Sequence, residues 1–246
     1  MYKSIRQSTQ HREYPLPNGP WVMTQKWDHL LFIHWPIPQE VMEAQIPAGL
    51  ELDTFDGEAW LTIIPFKISD MRLRKMPPFP FLRSFLEVNV RTYVRRNGIS
   101  GIYFFSMDAD KLLAVLGARV ATLPYFHAKM KINKGAKGYY HYSSIRRGSS
   151  DAIFKGSYRP ISEAYYPEKG SLAYWLLERY YLYSYQGGAL FRGGIHHRQW
   201  RIHDAEATIL KQNMIPFLLE NSMNEEPLLH YASSRRVLFW LIKKVE

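Results

Sequence analysis

Short apolar-rich segments separated by turn residues dominate the chain, and they predict a largely antiparallel sheet. Asp56-Gly57 and Asn97-Gly98 are dipeptides that favour tight two-residue turns between antiparallel strands. Each dipeptide lies between two apolar-rich segments, 50–54 and 59–64 for the first and 88–94 and 102–106 for the second. We therefore expect two β-hairpins.

Seven further segments are rich in β-branched and aromatic residues, which favour strands. They are 126–133, 138–146, 152–159, 181–186, 189–193, 197–202 and 235–242. Their spacing along the chain indicates many short strands rather than a few long ones.

Four segments predict helices, namely 39–46, 109–121, 172–180 and 204–210. Pro38 and Pro47 flank the first, where they favour a helix start and a helix stop. Asp108 is the expected N-cap of the second helix, and Ser171 is the expected N-cap of the third. The spacing of apolar residues gives the second helix a predicted buried face of Ala109, Leu112, Leu113, Leu116 and Val120.

Many short strands with scattered helices predict an α+β fold, a closed and mainly antiparallel β barrel with flanking helices. No linker, internal repeat or change of composition divides the chain, so we expect one domain over residues 1–246. Residues 1–20 are expected to form a peripheral N-terminal segment. A chain of this length can bury a sizeable core without disulfides.

The absence of cysteine excludes disulfides, thiolate metal sites and a cysteine nucleophile. The first residues contain no apolar segment typical of a secretory signal. The apolar stretches 30–33 and 237–242 are far shorter than the roughly 20 residues that span a bilayer. We therefore expect a cytoplasmic protein that does not associate with membranes.

The formal net charge is +10, from 32 Lys and Arg against 22 Asp and Glu. The basic residues form small groups without a run of five, and no recognised nucleic-acid-binding motif is present. We therefore expect a solvated surface that attracts anionic ligands, and we disfavour nucleic acid as a partner. Because aromatic residues make up 15% of the chain, binding of nucleic acid or an acidic partner to this surface remains the alternative.

The segment 87–94 carries the residues best suited to a binding site. A strand places alternate residues on opposite faces, so one face carries Glu87, Asn89, Arg91 and Tyr93 and the other carries Val88, Val90, Thr92 and Val94. A carboxylate, an amide, a guanidinium and a phenol in a row can orient a small polar ligand if the strand lines a lumen. The alternative is an ordinary strand with one solvent-facing side.

Histidine spacing and short motifs give no further site. His29 and His34 are five residues apart and point to opposite faces of a strand, as do the adjacent His196 and His197. No HExxH, GxSxG, GxGxxG or GxxxxGK[ST] pattern occurs. We therefore predict neither a metal site nor a bound cofactor.

Several segments together resemble a bacterial family of YqjF-like proteins, a domain of unknown function. They are FLEVNVRTYV, YFFSMDADKLLAVLGARVATLPYF, WDHLLFIHWPIP, GLELDTFDGEAWLTIIPF, YRP and LFRGGIHHRQW, and the resemblance extends from about Trp27 to Leu241. That family is in turn similar to the acetoacetate decarboxylase superfamily, whose fold is a closed, cone-shaped β barrel with outer helices and an inner pocket. The resemblance implies the same barrel and pocket here.

The decarboxylases carry a helix that ends in a Gly-Arg-Glu-like element, followed by Phe-Pro and two lysines. On this resemblance Arg119 corresponds to the arginine and Leu123-Pro124 to the Phe-Pro. Glu87 corresponds to a strand glutamate that borders the pocket. Tyr125 and Phe126 stand where the two lysines are expected.

Neither Tyr125 nor Phe126 can form the Schiff base that a neutral lysine amine forms with a ketone. Lys129 is the nearest downstream lysine, and we disfavour a substitute role for it. The resemblance therefore implies the fold and a pocket but not the decarboxylase reaction.

We predict a pocket for a small carboxylate- or carbonyl-bearing metabolite, formed by Glu87, Asn89, Arg91, Arg119 and Tyr125. Arg91 or Arg119 would bind a carboxylate. Glu87 would act as a general acid or base, and Tyr125 would donate a hydrogen bond to an oxyanion. The main alternative is a structural ion pair of Glu87 with Arg91 or Arg119. A lyase or hydrolase activity without a Schiff base, and assembly into a homo-oligomer, also stay open.

Overall fold

The computed structural model describes residues 1–149, 151–218 and 225–245. The strands in these ranges are β1 Met23–Ile37, β2 Glu51–Leu52, β3 Ala59–Leu73, β4 Ser84–Arg96, β5 Ile99–Ala109, β6 Tyr125–Lys134, β7 Tyr140–Arg146, β8 Ile153–Pro160, β9 Tyr181–Gln186, β10 Ala189–His196, β11 His203–Gln212, β12 Leu228–Phe239 and β13 Lys243–Lys244. The α-helices are α1 Tyr2–Gln7, α2 Gln39–Glu43, α3 Leu112–Val120 and α4 Leu172–Leu177.

The strands pair edge to edge into a ring. Strand β1 lies between β3 and β12, and β4 lies between β3 and β5. From β5, one path runs through β6, β7, β8 and β11 to β12. A second path runs from β5 through β9 and β10 to β12. Among the described strands, all pairings are antiparallel except those of β5 with β6 and β9, which confirms a mainly antiparallel fold with few helices.

The two predicted hairpins differ in outcome. Asn97-Gly98 joins β4 to β5 with both residues at positive φ, as predicted. Asp56-Gly57 also forms a tight turn, but only the pair Phe55–Glu58 closes it. Strand β2 pairs with β4 instead of β3, because the pairing of β3 with β4 ends at Leu61–Thr92 and leaves the same edge of β4 open at Val94 and Arg95.

Two predicted elements are wrong. Residues 204–210 form part of β11 rather than a helix, because the chain pairs there with β8 from Ala205–Pro160 to Gln212–Phe154. Residues 197–202 do not form a strand, since β10 ends at His196 and Ile202 makes only an isolated bridge. The other six segments predicted as strands overlap β6, β7, β8, β9, β10 and β12.

The helix after Asp108 begins later than predicted and buries different residues. Asp108 is not its N-cap but a fully buried residue of β5, paired with Arg146 at 2.8 Å. The helix, α3, faces the sheet with Ala114 and Val115. Of the predicted buried face, Ala109 is buried but belongs to β5. The other four residues are exposed, from 49% for Leu116 to 87% for Val120, with Leu112 and Leu113 between them.

The other two predicted helices are confirmed but shorter. Helix α2 follows Pro38 and ends at Glu43. Helix α4 follows Ser171, whose Oγ accepts a hydrogen bond from the Tyr174 amide at 3.3 Å, as expected of an N-cap.

The N-terminal segment forms hydrogen bonds with the last residue of β10 and with the residue after it. Ile5 is buried with Trp21, Leu238 and Trp240. Nε2 of His11 contacts the carbonyl oxygen of His197 at 2.9 Å. These contacts fix the first residues of the chain against β10 and β12.

Candidate functional site

A cavity of about 350 Å³ opens between the sheet and α3. Most of its wall is apolar and includes Leu30, Phe32, Ile64, Phe66, Phe104 and Trp200. Its polar side chains, among the described residues, are concentrated at Gln25, Glu87, Asn89, Arg91 and Tyr125. A cavity of this size and composition is typical of a site for a small organic ligand.

Strand β4 supplies three of these polar side chains because its two faces meet different surroundings. Leu86, Val88 and Val90 pack in one apolar cluster with β1 and β3. Glu87 and Asn89 lie on the opposite face, in the cavity wall. Residues 85–94 are all buried, so neither face of this strand is solvent-facing, contrary to the alternative drawn from the sequence.

The carboxyl group of Glu87 is buried and hydrogen-bonded. The Tyr125 hydroxyl donates to Oε2 of Glu87 at 2.6 Å. Burial raises the pKa of Glu87 from about 4.5 to about 7, against the opposing effect of hydrogen bonds from Tyr125 and Asn89. A carboxyl group with this pKa is present in both protonation states near neutral pH, as a general acid or base requires.

Tyr125 and Phe126, which the sequence resemblance aligns with the two decarboxylase lysines, point in opposite directions. Tyr125 lines the cavity, and burial together with Glu87 raises its pKa well above the usual value. Phe126 instead lies under Arg146, with Cζ of the guanidinium 4.0 Å from the ring centroid. Lys129 is exposed on β6, and no lysine occurs among the described residues that line the cavity.

Arg91 is the cation of the site. Its side chain is 8% exposed and lines the cavity. Within the described chain it forms no hydrogen bond or ion pair, and its guanidinium lies over the Tyr93 ring, with Cζ 5.9 Å from the ring centroid. A buried guanidinium without a counter-ion is costly unless a ligand completes its hydrogen bonds.

The ion pair of Glu87 with Arg91 or Arg119, the alternative drawn from the sequence, is not found among the described residues. Glu87 and Arg91 are four positions apart on an extended strand, or roughly 13 Å between Cα atoms. Arg119 is exposed at the end of α3, where its Nε donates to the carbonyl oxygen of Tyr125 at 2.7 Å. Four of the five predicted site residues therefore line the cavity, and Arg119 lies outside it.

Sequence reasoning missed Gln25 and Trp200. Gln25 lies at the start of β1, where its Oε1 accepts a hydrogen bond from Trp27 Nε1 at 2.8 Å. Trp200 lies in a segment predicted as a strand, and its ring stacks on Trp27. The only sequence feature that could have indicated Gln25 is its spacing from Trp27, since residues two apart on a strand share one face.

The rest of the described chain adds neither a metal cluster nor a transmembrane helix. No group of three or more His, Asp or Glu side chains comes together there as metal ligands. None of the helices in the same ranges has the length and apolarity to cross a bilayer.

Comparisons with known proteins agree with this architecture. The chain is 44% identical over 236 residues to the uncharacterized protein YqjF of Bacillus subtilis (strain 168), covering 96% of this chain and 97% of that protein. It matches the structure of the enduracididine biosynthesis enzyme MppR complexed with pyruvate, with a TM-score of 0.63 and 10% identity over 95% of this chain and 93% of that one. It also matches acetoacetate decarboxylase from Legionella pneumophila, with a TM-score of 0.62 and 15% identity over 98% and 95% of the two chains.

The two structures are too distant in sequence to show more than a shared fold. The family model DUF2071, described as an uncharacterized conserved protein, matches residues 24–236. The resemblances drawn from the sequence are thus confirmed, and the chain belongs to the DUF2071 family, with a fold like that of acetoacetate decarboxylase.

Proposed function

We propose that this protein binds a small carboxylate- or carbonyl-bearing metabolite with an apolar body. In this proposal the ring of strands is a closed barrel and the cavity is its lumen. The observation that carries the proposal is Arg91, a buried guanidinium that lines an apolar cavity and has no hydrogen-bonding partner among the described residues. A carboxylate offers the planar, bidentate acceptor that a guanidinium favours.

Glu87, which lies at the opposite end from Arg91 of the polar side chains on β4, supports acid–base chemistry. Glu87 can accept or donate a proton near neutral pH, because burial raises its pKa to about 7. Tyr125 stays protonated and directs its hydroxyl to Glu87. A ligand hydroxyl group beside this pair would give its proton to ionised Glu87, and a ligand carbonyl oxygen there would receive a proton from protonated Glu87.

The separation of Glu87 and Arg91 sets a minimum length for a ligand that contacts both. Because their Cα atoms are roughly 13 Å apart along the strand, such a ligand is longer than a three-carbon keto acid. Its middle would lie against apolar side chains such as Phe66 and Phe104. MppR, which has the same fold, forms a complex with pyruvate, so an oxo acid is compatible with a protein of this type.

Schiff-base catalysis does not fit the site. Tyr125 takes the cavity-facing position of the lysine pair, and its phenol cannot form an imine. Lys129 is exposed. We therefore propose either binding alone or a reaction that uses Glu87 as the proton carrier.

A thermal-shift screen tests this proposal. Straight-chain carboxylates and oxo acids of increasing length are added to wild type, to Arg91→Met and to Glu87→Gln, with Lys155→Gln on the exposed face of β8 as the control. A ligand at a hundred times its dissociation constant adds about 2.7 kcal/mol to the free energy of unfolding. We expect stabilisation of wild type and Lys155→Gln and its loss in Arg91→Met. Equal stabilisation of Arg91→Met would contradict the proposal.

Binding of an acidic partner or nucleic acid is a second candidate, favoured by one observation. Lys131, Lys155 and Lys211 are exposed and lie on neighbouring strands in register, linked through Ser143. Such a row could follow a phosphate backbone. It predicts that a labelled oligonucleotide binds with an affinity that falls steeply with salt and drops in Lys155→Gln. An affinity independent of salt would exclude it.

A further inference from the structure

A second pocket, which the proposed function does not use, lies between the N-terminal segment and β12. It encloses about 410 Å³. Lys169, Arg198 and Arg235 contribute positive charge to its wall, and Tyr166 and Tyr174 contribute aromatic rings. No Asp or Glu occurs among the described residues that line it. We call this pocket the basic cleft.

Arg235 is the most confined cation of the basic cleft. Its guanidinium lies over the ring of Trp200, with Cζ 5.4 Å from the ring centroid. In the part of the chain that the structure describes, Arg235 makes no hydrogen bond or ion pair, and its Nε is fully buried. Its remaining guanidinium donors therefore lack a protein partner there.

The carboxyl group of Glu178 does not neutralise the charge of Arg235. Glu178 attracts Arg235 electrostatically, but no ion pair within 4 Å joins them among the described residues. Glu178 instead accepts hydrogen bonds from the Trp200 amide, at 2.8 Å, and from the Tyr180 hydroxyl. Burial raises the pKa of Glu178 to about 7, so its own charge is incomplete near neutral pH.

Histidines beside the basic cleft are kept neutral. Burial lowers the pKa of His11 and of His197, and the positive charge of Arg235 lowers both further. A field that disfavours additional positive charge favours a bound anion for the same electrostatic reason.

The walls of the basic cleft are held by contacts between distant parts of the chain. The Tyr174 hydroxyl donates to the carbonyl oxygen of His11 at 2.7 Å. The Arg198 guanidinium donates to Ser4 Oγ at 2.9 Å, and Gln199 donates to the carbonyl oxygen of Pro167 at 3.2 Å. The cleft is therefore built by the fold rather than by one mobile loop.

We propose that the basic cleft binds an oxyanion, the phosphate or carboxylate group of a small metabolite, with Arg235 as its main contact. Arg198 and Lys169 complete the positive rim. The cleft is distinct from the cavity of the proposed function, because Trp200 lines that cavity and carries Arg235 above its ring. Trp200 therefore lies between the two sites, whose described lining residues have no member in common.

Calorimetric titration of the full chain with inorganic phosphate, and separately with acetate, tests this proposal at constant ionic strength. The variants are Arg235→Met and Arg198→Met, and the matched control is Lys243→Gln, which removes an exposed cation on β13 that lines neither the cleft nor the cavity. Arg198 is exposed, so its variant keeps the test valid if Arg235→Met does not fold. We expect saturable binding of at least one of the two anions.

The expected affinity is about tenfold weaker or more in each cleft variant, because each removes a charge-assisted hydrogen bond. It is unchanged in Lys243→Gln. The failure of both anions to bind the wild type would overturn the proposal. So would binding to folded Arg235→Met and Arg198→Met that is as tight as binding to wild type, or an equal loss in Lys243→Gln, which would indicate unspecific attraction to surface charge. Binding of acetate but not phosphate, lost in both cleft variants, would identify the oxyanion as a carboxylate.

Discussion

The hydroxyl of Tyr125 lies 2.6 Å from Oε2 of Glu87 and joins the first residue of β6 to the fourth residue of β4 inside an apolar cavity. This contact places a neutral hydrogen-bond donor beside the buried carboxyl group. Its consequence is that Glu87, rather than residue 125, is the group that can exchange a proton near pH 7.

Replacing Glu87 by Gln should change how stability depends on pH. In the unfolded chain the carboxyl ionises near pH 4.5, but in the folded protein it ionises near pH 7. As the pH rises through this window, the wild type loses free energy of unfolding, up to about 3 kcal/mol, and the loss is complete above pH 7. Below pH 4.5 both states are protonated and no loss occurs.

Urea unfolding of wild type and Glu87→Gln from pH 4.5 to pH 8 measures this effect. The stability of the variant relative to wild type should rise by about 3 kcal/mol over that range. Glu178 has a similarly raised pKa, but it is present in both proteins and cancels in the difference. A difference that is independent of pH would show that Glu87 is already ionised at pH 5.

Tyr125→Phe should raise the pKa of Glu87 above about 7. The hydroxyl stabilises the charged carboxylate by donating to it, so its removal leaves burial less opposed. Carbon-13 NMR of the glutamate carboxyl groups measures the shift. Tyr158→Phe is the control, because that hydroxyl donates to the carbonyl oxygen of His29 and not to Glu87. An unchanged Glu87 midpoint in Tyr125→Phe would contradict the hydrogen bond.

Arg91→Met and Arg179→Met should have opposite effects on the unliganded protein. Arg179 is buried and forms an ion pair with Asp53 at 2.5 Å, so its removal should cost about 3 kcal/mol of unfolding free energy. Arg91 has no such partner among the described residues, so its replacement by an apolar side chain should be neutral or stabilising by about 1 kcal/mol. Chemical denaturation measures both. An equal loss of unfolding free energy in Arg91→Met and Arg179→Met would indicate a structural role for Arg91.

Borohydride treatment in the presence of acetoacetate should leave the mass of the protein unchanged. A Schiff base would be reduced to a stable adduct, but the cavity-facing position carries Tyr125 and Lys129 is exposed. Intact mass spectrometry of wild type and Lys129→Met is the measurement. An adduct on wild type that disappears in Lys129→Met would restore the lysine mechanism.

The sequence predicted the polar face of β4 because alternation on a strand is a local property. Val88 and Glu87 face opposite sides whatever the strand pairs with. Tyr125 was predicted only through its resemblance to the lysine position, since a single tyrosine in a tyrosine-rich chain has no distinguishing pattern.

The wrong predictions arise where contacts with residues distant in the sequence override the local preference for a helix. Asp108 is a good helix cap in isolation, but β5 extends to Ala109 and buries Asp108 against Arg146, 38 positions away. Residues 204–210 carry a helical pattern, yet β8 offers an open edge with which they pair. That Arg91 and Arg235 have no hydrogen-bonding or ion-pair partner among the described residues could not be predicted, because it depends on which side chains from distant parts of the sequence lie near them.

If Arg91 binds the carboxylate of a ligand held in the cavity, removal of its guanidinium should weaken binding of an acid but not of the matching amide. Calorimetric titration, into wild type and Arg91→Met, of the tightest-binding acid from the thermal-shift screen and of its uncharged amide measures this. The acid should bind wild type at least about tenfold more tightly than it binds Arg91→Met, and the amide should bind both proteins equally weakly. Equal affinity of the acid for the two proteins would show that Arg91 does not hold the carboxylate.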